Sequence, residues 1–305
     1  MLRTLQHVAL TVPNLEVARA FYTAMGLEAN ASEGGLAFRC AGRAQDQVRL
    51  LQGPRKSLAY VSFGTTAREL PAVANRLEQA RVTLCEAPFG LQPEGIWFRD
   101  PDGDFINVRA AEDSPQSRPP VAINNPGEFR RLGRRGAPDR NIEARPRRLG
   151  HILKFSLDLQ RTIDFYTQVL GMKLSDRIGG MAAFLRFAGD SDHHTMAIAQ
   201  SESRGLHHMS FEMGNLDQIQ LCAERMIQAG YKDAWGVGRH IYGSNYFHYI
   251  RDPWNGLVEF FWDIDFIPAG ANWEAEDCPP GPDSLFQWAT IEPPADFLLN
   301  YEAAA

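Results

Sequence analysis

The sequence predicts an α+β protein of two tandem domains, each built from two βαβββ modules. Its 305 residues are enough for about two ordinary domains. Short apolar runs of strand length alternate with helix-like segments in both halves of the chain. The order of these elements in residues 1–112 recurs in residues 147–268, and a repeat of this size indicates a duplicated structural unit.

The first domain is predicted as strands alternating with two helices. Asn14 is a suitable N-cap for the first helix, and Gly26 is a suitable residue to end it. The run Asp-Pro-Asp-Gly at 100–103 is typical of a tight turn between two strands. The predicted strands cover 5–12, 36–39, 47–51, 58–63, 95–99 and 104–109, and the predicted helices cover 16–25 and 68–80.

Residues 113–146 differ in composition from the halves that flank them. Prolines recur through this segment among arginines such as Arg130, Arg131, Arg134 and Arg135. Such a composition is typical of a linker. A basic run can also bind an anionic partner, but this one has few aromatic residues and lies in a chain of net charge −6. We therefore expect a linker that is largely in solvent.

Residues 147–268 repeat the first domain segment by segment, which makes them the second domain. The tail at 269–305 contains Trp273 and Trp288 and is too apolar for a disordered extension, so we expect it to pack on the second domain near the mouth of a site. The matching segments are 5–8 with 149–152, 14–27 with 158–172, 58–63 with 206–211, and 99–103 with 251–256.

Three residues that can bind a metal ion each lie in a short, mostly apolar strand: His151, His208 and Glu259. Two imidazoles and one carboxylate that converge form a facial triad with open coordination positions, which suits non-haem iron(II) and oxygen chemistry. Seven of the eight histidines lie between residues 151 and 248. Any one of them alone is better interpreted as a core or surface residue, but their position, type and strand context agree. The pattern therefore predicts a metal site.

The two copies differ at these positions. The first domain keeps one histidine, His7, at the first ligand position. Tyr60 stands at the position of His208, and Asn107 stands at the position of Glu259. The metal site is therefore expected in the second domain alone.

The sequence resembles the type I extradiol ring-cleavage dioxygenases of the vicinal oxygen chelate superfamily over both domains, and most strongly over 149–261. The resemblance implies the glyoxalase-like fold of that superfamily. It also implies that His151, His208 and Glu259 bind iron(II), with manganese(II) as the alternative. In the doublet 207–208 we expect the ligand to be His208, because it precedes the apolar strand as His7 and His151 do.

Three further residues strengthen the resemblance. His194 lies in a segment similar to the one that carries the acid–base histidine of the family. His240 ends a Gly-Arg-His run, and the resemblance implies that it hydrogen-bonds a substrate oxygen. Tyr249 matches the active-site tyrosine, although alone it would be an ordinary strand tyrosine. The neighbouring histidines are interpreted as structural or pocket-lining: His193, His207 and His248.

The resemblance implies extradiol cleavage of a catechol-type diol, with incorporation of both atoms of O2, in the breakdown of aromatic compounds. Two alternatives stay open: another metal enzyme of the superfamily, such as a glyoxalase-like isomerase or an epimerase, and a non-catalytic protein that binds a small aromatic. The substrate also stays open among simple catechols, dihydroxybiphenyls, homoprotocatechuate and trihydroxybenzenes. The resemblance favours a homo-oligomer.

The composition excludes several other classes. A hydrophobic content of 44% and a charged content of 22% are ordinary for a soluble globular protein. The negative net charge argues against nucleic acid as a partner, and no apolar run approaches the ~20 residues of a membrane span. The four cysteines are far apart, and the N-terminus lacks the apolar segment of a signal peptide. We therefore expect a cytoplasmic protein with reduced thiols and no organic cofactor.

Overall fold

The first domain forms one mixed sheet of seven strands with two helices against it. In the computed structural model, residues 1–137, 144–281 and 284–303 are described. The strands are β1 (Thr4–Val12), β2 (Glu28–Ser32), β3 (Gly35–Arg39), β4 (Val48–Gln52), β5 (Ser57–Thr65), β6 (Ile96–Arg99) and β7 (Phe105–Ala110), and the helices are α1 (Leu15–Ala24) and α2 (Leu70–Gln79). Their spatial order is β2-β3-β4-β1-β5-β7-β6. As predicted, Asn14 caps α1 by accepting from the backbone N–H groups of Glu16 and Val17.

The second domain repeats this plan on a larger scale. Its main strands are β8 (Arg148–Ser156), β9 (Lys173–Ile178), β10 (Ala182–Arg186), β11 (Ser191–Asp192), β12 (Met196–Gln200), β13 (Gly205–Glu212), β14 (Asp233–His240), β15 (Tyr246–Arg251), β16 (Leu257–Trp262) and β17 (Phe266–Ile267). Its helices are α3 (Leu159–Asp164), which continues into a π-helical turn at Phe165–Val169, and α4 (Leu216–Gln228). No helix in the described ranges has the length and apolar character that crossing a membrane requires.

The tail contributes two more strands, β18 (Glu276–Cys278) and β19 (Phe286–Ala289), one at each edge of the second sheet. The ten-stranded order is β18-β9-β10-β12-β8-β13-β16-β15-β14-β19. Near its end the tail places Phe297 in a buried aromatic cluster with residues of β14 and β15. Two edge strands and a buried side chain hold the tail against the second domain.

Strand register shows that the two domains are copies of one unit. In the first sheet His7 lies opposite Ser62, and Ser62 lies opposite Asn107. The second sheet has the same register for three other residues: His151, Ser210 and Glu259. The α+β fold class of two tandem βαβββ domains, predicted from the repeat, is confirmed.

One strand of the repeat is almost lost in the first domain. After α2, the counterpart of β14 is reduced to a single bridge between Leu84 and Phe98. The segment at this position contains Pro88 and Pro93. Proline has no backbone N–H to donate to a neighbouring strand, so these two residues interrupt pairing. The second module of this domain is therefore a shortened version of the predicted βαβββ unit.

Buried ion pairs join the two domains reciprocally. Lys154 of β8 inserts its ammonium group among the carboxylates of Asp100, Asp102 and Asp104 at the tight turn of the first domain. Lys56 of the first domain lies 3.3 Å from Asp252 in the matching turn of the second. The two turns that the sequence predicts thus also join the domains.

The segment between the domains is held at both of its ends. The Gln116 side chain donates to the carbonyl oxygens of Ala41 and Arg147, and Ala144 is buried. Between these points the side chains of 128–135 are mostly exposed, as expected for a linker. Parts of the predicted linker and tail, namely 138–143, 282–283 and 304–305, lie outside the described residues. The predicted domain boundaries stay a proposal.

Candidate metal centre and active site

Three adjacent strands bring the predicted ligands together on one face of the second sheet. His151 is on β8, His208 on β13 and Glu259 on β16, and all three side chains are buried. Glu259 Oε2 lies 3.0 Å from His151 Nε2 and 3.3 Å from His208 Nε2. One potential ligand atom from each residue lies within 4.8 Å of the other two. Ser210 of β13 lies opposite both His151 and Glu259. His208 precedes Ser210 by two residues and therefore points to the same face, so the register of the three strands produces this cluster.

The geometry and charge of this cluster fit a divalent cation. Cis ligands at metal–ligand distances of about 2.1 Å are about 3.0 Å apart in an octahedral site, close to the separations of the donor atoms here. Although burial alone would raise the pKa of Glu259, His151, His208 and His240 hold it well below its usual range. Burial lowers the pKa of His208, which favours the neutral imidazole that a metal needs. Two imidazoles and one carboxylate suit the facial triad.

A hydrogen-bond chain through His207 sets the tautomer of His208. The Nε2–H group of His207 donates to the Phe297 carbonyl oxygen at 2.6 Å, because a carbonyl can only accept. Burial, followed by the neighbouring His208, lowers the pKa of His207 to about 3, so His207 is neutral and its Nδ1 is an acceptor. His208 then donates from Nδ1 to that nitrogen at 2.6 Å. The Nε2 lone pair of His208 is left facing Glu259.

A second histidine doublet forms a similar chain behind His194. Asp176 Oδ2 lies 2.6 Å from His193 Nε2, and His193 Nδ1 lies 3.0 Å from His194 Nδ1. Burial, then the charges of His151 and His193, lowers the pKa of His194 well below its ordinary value. Its Nε2 has no hydrogen-bond partner among the described residues. The ring lies 4.4 Å from that of His151, so a neutral imidazole with one unpaired nitrogen lies beside the metal cluster.

His240 and Tyr249 lie on the other side of Glu259. The Nδ1–H of His240 donates to the Leu285 carbonyl oxygen at 2.7 Å, and His240 Nε2 lies 2.9 Å from the Tyr249 hydroxyl oxygen. His240 Nε2 is also 3.6 Å from Glu259 Oε1. Burial raises the pKa of Tyr249 well above its ordinary value, so the phenol stays protonated. The two side chains form a fixed hydrogen-bonded pair next to the metal cluster.

All six predicted site residues line one cavity of about 800 Å³, measured with its open mouth. They gather in one part of it, and the rest is apolar apart from Gln200 and the Tyr242 hydroxyl. His248, interpreted as structural or pocket-lining, does not line it; its ring bonds Asp233. His193 and His207 lie behind His194 and His208 and not in the cavity. The arrangement can bind a metal ion and place a small ligand among hydrogen-bond donors and acceptors.

Several residues of this site were not identified from the sequence. The roles of His193 and His207 in fixing their neighbours became clear only with Asp176 and the Phe297 carbonyl in place. The signal that could have identified them is the repeated His-His doublet at 193–194 and 207–208. No local pattern could have indicated Phe297, which reaches the site from the tail.

In the first domain, the residues at the positions that correspond to the metal cluster hydrogen-bond to other protein groups. The Tyr60 hydroxyl lies 3.1 Å from His7 Nε2, and Ser62 donates to Asn107 Oδ1 at 2.8 Å. Asn107 in turn donates to the Glu94 carbonyl oxygen. The other cluster of three potential ligands in the described ranges is the set of turn carboxylates around Lys154, whose ammonium group already lies among all three of them. Within these ranges, His151, His208 and Glu259 are therefore the cluster suited to a metal.

Comparisons with known proteins agree with this geometry. The family model described as Glyoxalase/Bleomycin resistance protein/Dioxygenase superfamily matches residues 148–260. The chain is 39% identical to Metapyrocatechase 2 of Cupriavidus necator over 304 residues, which cover 98% of this chain and 92% of that protein. Among solved structures, it is similar to a Mn(II)-bound glyoxalase from Novosphingobium aromaticivorans, with a TM-score of 0.80, 23% identity and coverage of 98% and 94% of the two chains.

A second solved structure, of a halotolerant catechol dioxygenase, has a TM-score of 0.75, 21% identity and coverage of 97% of each chain. At these identities the two structures bear on the fold alone. The relative from Cupriavidus necator is closer in sequence and matches nearly the full length of both chains. The chain therefore belongs to the type I extradiol ring-cleavage dioxygenases of the glyoxalase, or vicinal oxygen chelate, superfamily.

Proposed function

We propose that this protein is an enzyme that opens the ring of a catechol-type diol beside its hydroxyl groups and adds both atoms of O2, in the breakdown of aromatic compounds. One observation carries the proposal. The cluster of His151, His208 and Glu259 shares a single cavity with three side chains that can exchange or share protons, and apart from Gln200 and the Tyr242 hydroxyl the rest of that cavity is apolar. An aromatic diol matches this division, since it is polar at one edge and apolar elsewhere.

The metal proposed for this site is iron(II), with manganese(II) as the alternative. His151 and His208 would hold it through Nε2, and Glu259 through a carboxylate oxygen. When bound, the ion would supply a Lewis acid and a route for electrons between the diol and O2. The single negative charge of the triad favours a divalent ion and leaves coordination positions for both reactants.

The remaining residues would position the diol and move its protons. The Tyr249 hydroxyl and His240 Nε2 form one hydrogen-bonded pair that would orient a diol oxygen. His194, on the other side of the cluster, presents an unpaired Nε2 that would accept a proton from the substrate and later donate it. His193 keeps Nδ1 of His194 engaged, so proton exchange with the ligand is directed to Nε2. The apolar walls exclude water from the reacting atoms.

Oxygen uptake by protein reconstituted anaerobically with iron(II), measured with a panel of catechols, tests the proposal. Catechol should be consumed together with O2 and converted to a coloured ring-opened product. A glyoxalase-like isomerase or an epimerase would act without consuming oxygen, and a non-catalytic binder would hold the diol unchanged. Metal-loaded protein that binds catechol but consumes no oxygen would overturn the proposal.

The predicted homo-oligomeric state and the cytoplasmic location are part of this proposal but do not enter its chemistry. Sedimentation of the purified protein tests the first, and cell fractionation tests the second.

A further inference from the structure

The cavity has a metal end, formed by the six residues of the proposed site, and a far end. The lining of the far end is mostly apolar, so it suits an apolar group of a ligand. Seven of the residues that line the cavity have charged or titratable side chains. Six of them are the residues proposed to bind the metal or the diol, and the seventh is Tyr242. The lining continues beyond the six residues at the metal end as far as Phe155, Ala182 and Leu298. A single ring bound at the metal end would leave the far end of the cavity unfilled. The side chains that line the far end therefore indicate which kind of substituent a larger substrate carries.

Three neighbouring strands form the floor of the far end. On β8, residues 151, 153 and 155 point to one face because strand side chains alternate, so the floor extends ~13 Å from His151 to Phe155. Beyond His151, β8, β12 and β10 place opposite residues in two rows: Leu153, Ala197 and Phe184, then Phe155, Ala199 and Ala182. The alanine at the middle of each row keeps the floor low; large apolar side chains flank it on both sides in the first row and on the β8 side in the second.

The two polar side chains at the far end already have partners. Gln200 accepts from the Leu159 backbone N–H through Oε1 and donates to the Leu157 carbonyl oxygen through Nε2. The hydroxyl of Tyr242 lies against the thiol of Cys278, and its ring stacks on Phe184 with centroids 5.2 Å apart. A charged substituent placed here would lose its water and gain no counter-ion from the described lining.

The tail closes the remaining side of the far end. Phe297 is fixed in place, since its carbonyl accepts from His207 and its ring lies 5.1 Å from that of Tyr249. Leu298 follows directly and lines the cavity, although the residue is 46% exposed. Leu299 is equally exposed, at 48%, but does not line the cavity. Leu298 therefore lies at the boundary between the far end and solvent.

We infer that the substrate is an uncharged catechol that carries an apolar alkyl or aryl substituent, and that Leu298 is a specificity-determining residue for that substituent. This inference rests on the proposed function. A carboxylate on the substituent would be desolvated against alanine, leucine and phenylalanine side chains without an ion pair, which is unfavourable. An alkyl or aryl group would gain from burial, about fourfold in kcat/KM for each methylene.

A matched pair of substrates tests the inference: 3-propylcatechol and 3-(2,3-dihydroxyphenyl)propionate, with unsubstituted catechol as the reference. For the iron-loaded protein, kcat/KM should be highest for the propyl compound and lowest for the propionate, a ratio of at least about tenfold. An equal or greater value for the propionate would overturn the inference. If no diol is opened, the proposed function fails; binding of the same pair, followed by tryptophan fluorescence without oxygen, then decides the inference.

Two arginine variants assign the selectivity to the tail. Leu298→Arg places a guanidinium at the far end and should shift the ratio toward the propionate by about tenfold or more. Leu299→Arg adds the same charge one residue away and should leave the ratio unchanged. Both positions are exposed, so neither change should impair folding. An equal shift in both variants, or none in Leu298→Arg, would contradict the role of Leu298.

Discussion

Replacing His207 with leucine should weaken iron(II) binding although His207 does not line the cavity. Its Nδ1 accepts the proton of His208 Nδ1 at 2.6 Å, and its Nε2 donates to the tail carbonyl at 2.6 Å. In His207→Leu the Nδ1–H group of His208 would be buried without an acceptor. An unsatisfied buried donor costs about 1–3 kcal/mol, which corresponds to a loss of about 5-fold to 150-fold in metal affinity. Changes to residues that orient metal ligands typically cost 10–100-fold, in the same range.

Anaerobic titration with iron(II) measures the dissociation constant, and thermal unfolding without metal reports whether the fold is intact. His207→Asn is the informative companion, because its side-chain oxygen can accept the His208 proton while the bond to the Phe297 carbonyl is lost. It should bind iron about tenfold better than His207→Leu. His248→Leu removes a similarly buried imidazole that bonds Asp233 outside the cavity, and should bind iron as the wild type does. Wild-type affinity in His207→Leu, or an equal loss in the His248 variant, would refute the reasoning.

Three further predictions follow from the same contacts. Glu259→Ala should abolish stoichiometric iron binding, whereas His7→Ala should keep it, because hydrogen bonds fill the first domain's copy of the site; metal analysis of both proteins checks this, and two ions per wild-type chain would contradict it. His194→Phe should lose about 10²–10⁴-fold in turnover and still bind iron and catechol; stopped-flow mixing with O2 checks this, and wild-type oxygen consumption would contradict it. Lys154→Met should destabilise the protein by about 3–5 kcal/mol, because three buried carboxylates lose their cation, whereas Arg3→Met, at an exposed pair, should cost about 0–1 kcal/mol; urea unfolding checks this, and equal losses would contradict it.

The internal repeat made the central part of the fold and the grouping of the site predictable. Ser210 of β13 lies opposite His151 of β8 and Glu259 of β16. Because strand side chains alternate, His208, two residues before Ser210, had to share that face with both of them. Their adjacency follows from sequence pattern and resemblance together. Their roles as ligands, and those of His194, His240 and Tyr249, stay predictions.

Other features depend on contacts that leave no local pattern. Strand β2 has mostly exposed, small or polar residues, and β18 and β19 are short segments that become strands by pairing with the edges of an existing sheet. Lys154 lies in an apolar strand, and its buried position is acceptable only because carboxylates from the other domain surround it. Such long-range pairings decide local structure where propensity is weak, so the sequence alone could not indicate them.

Isotopically labelled O2 provides the most direct test of the proposed reaction. The protein, reconstituted without air with iron(II), is mixed with catechol and labelled O2, and the ring-opened product is analysed by mass spectrometry. We predict that both labelled atoms enter one product molecule and that the cleaved bond lies beside the diol. A product that carries one labelled atom or none, or a ring opened between the two hydroxyl groups, would contradict the proposal.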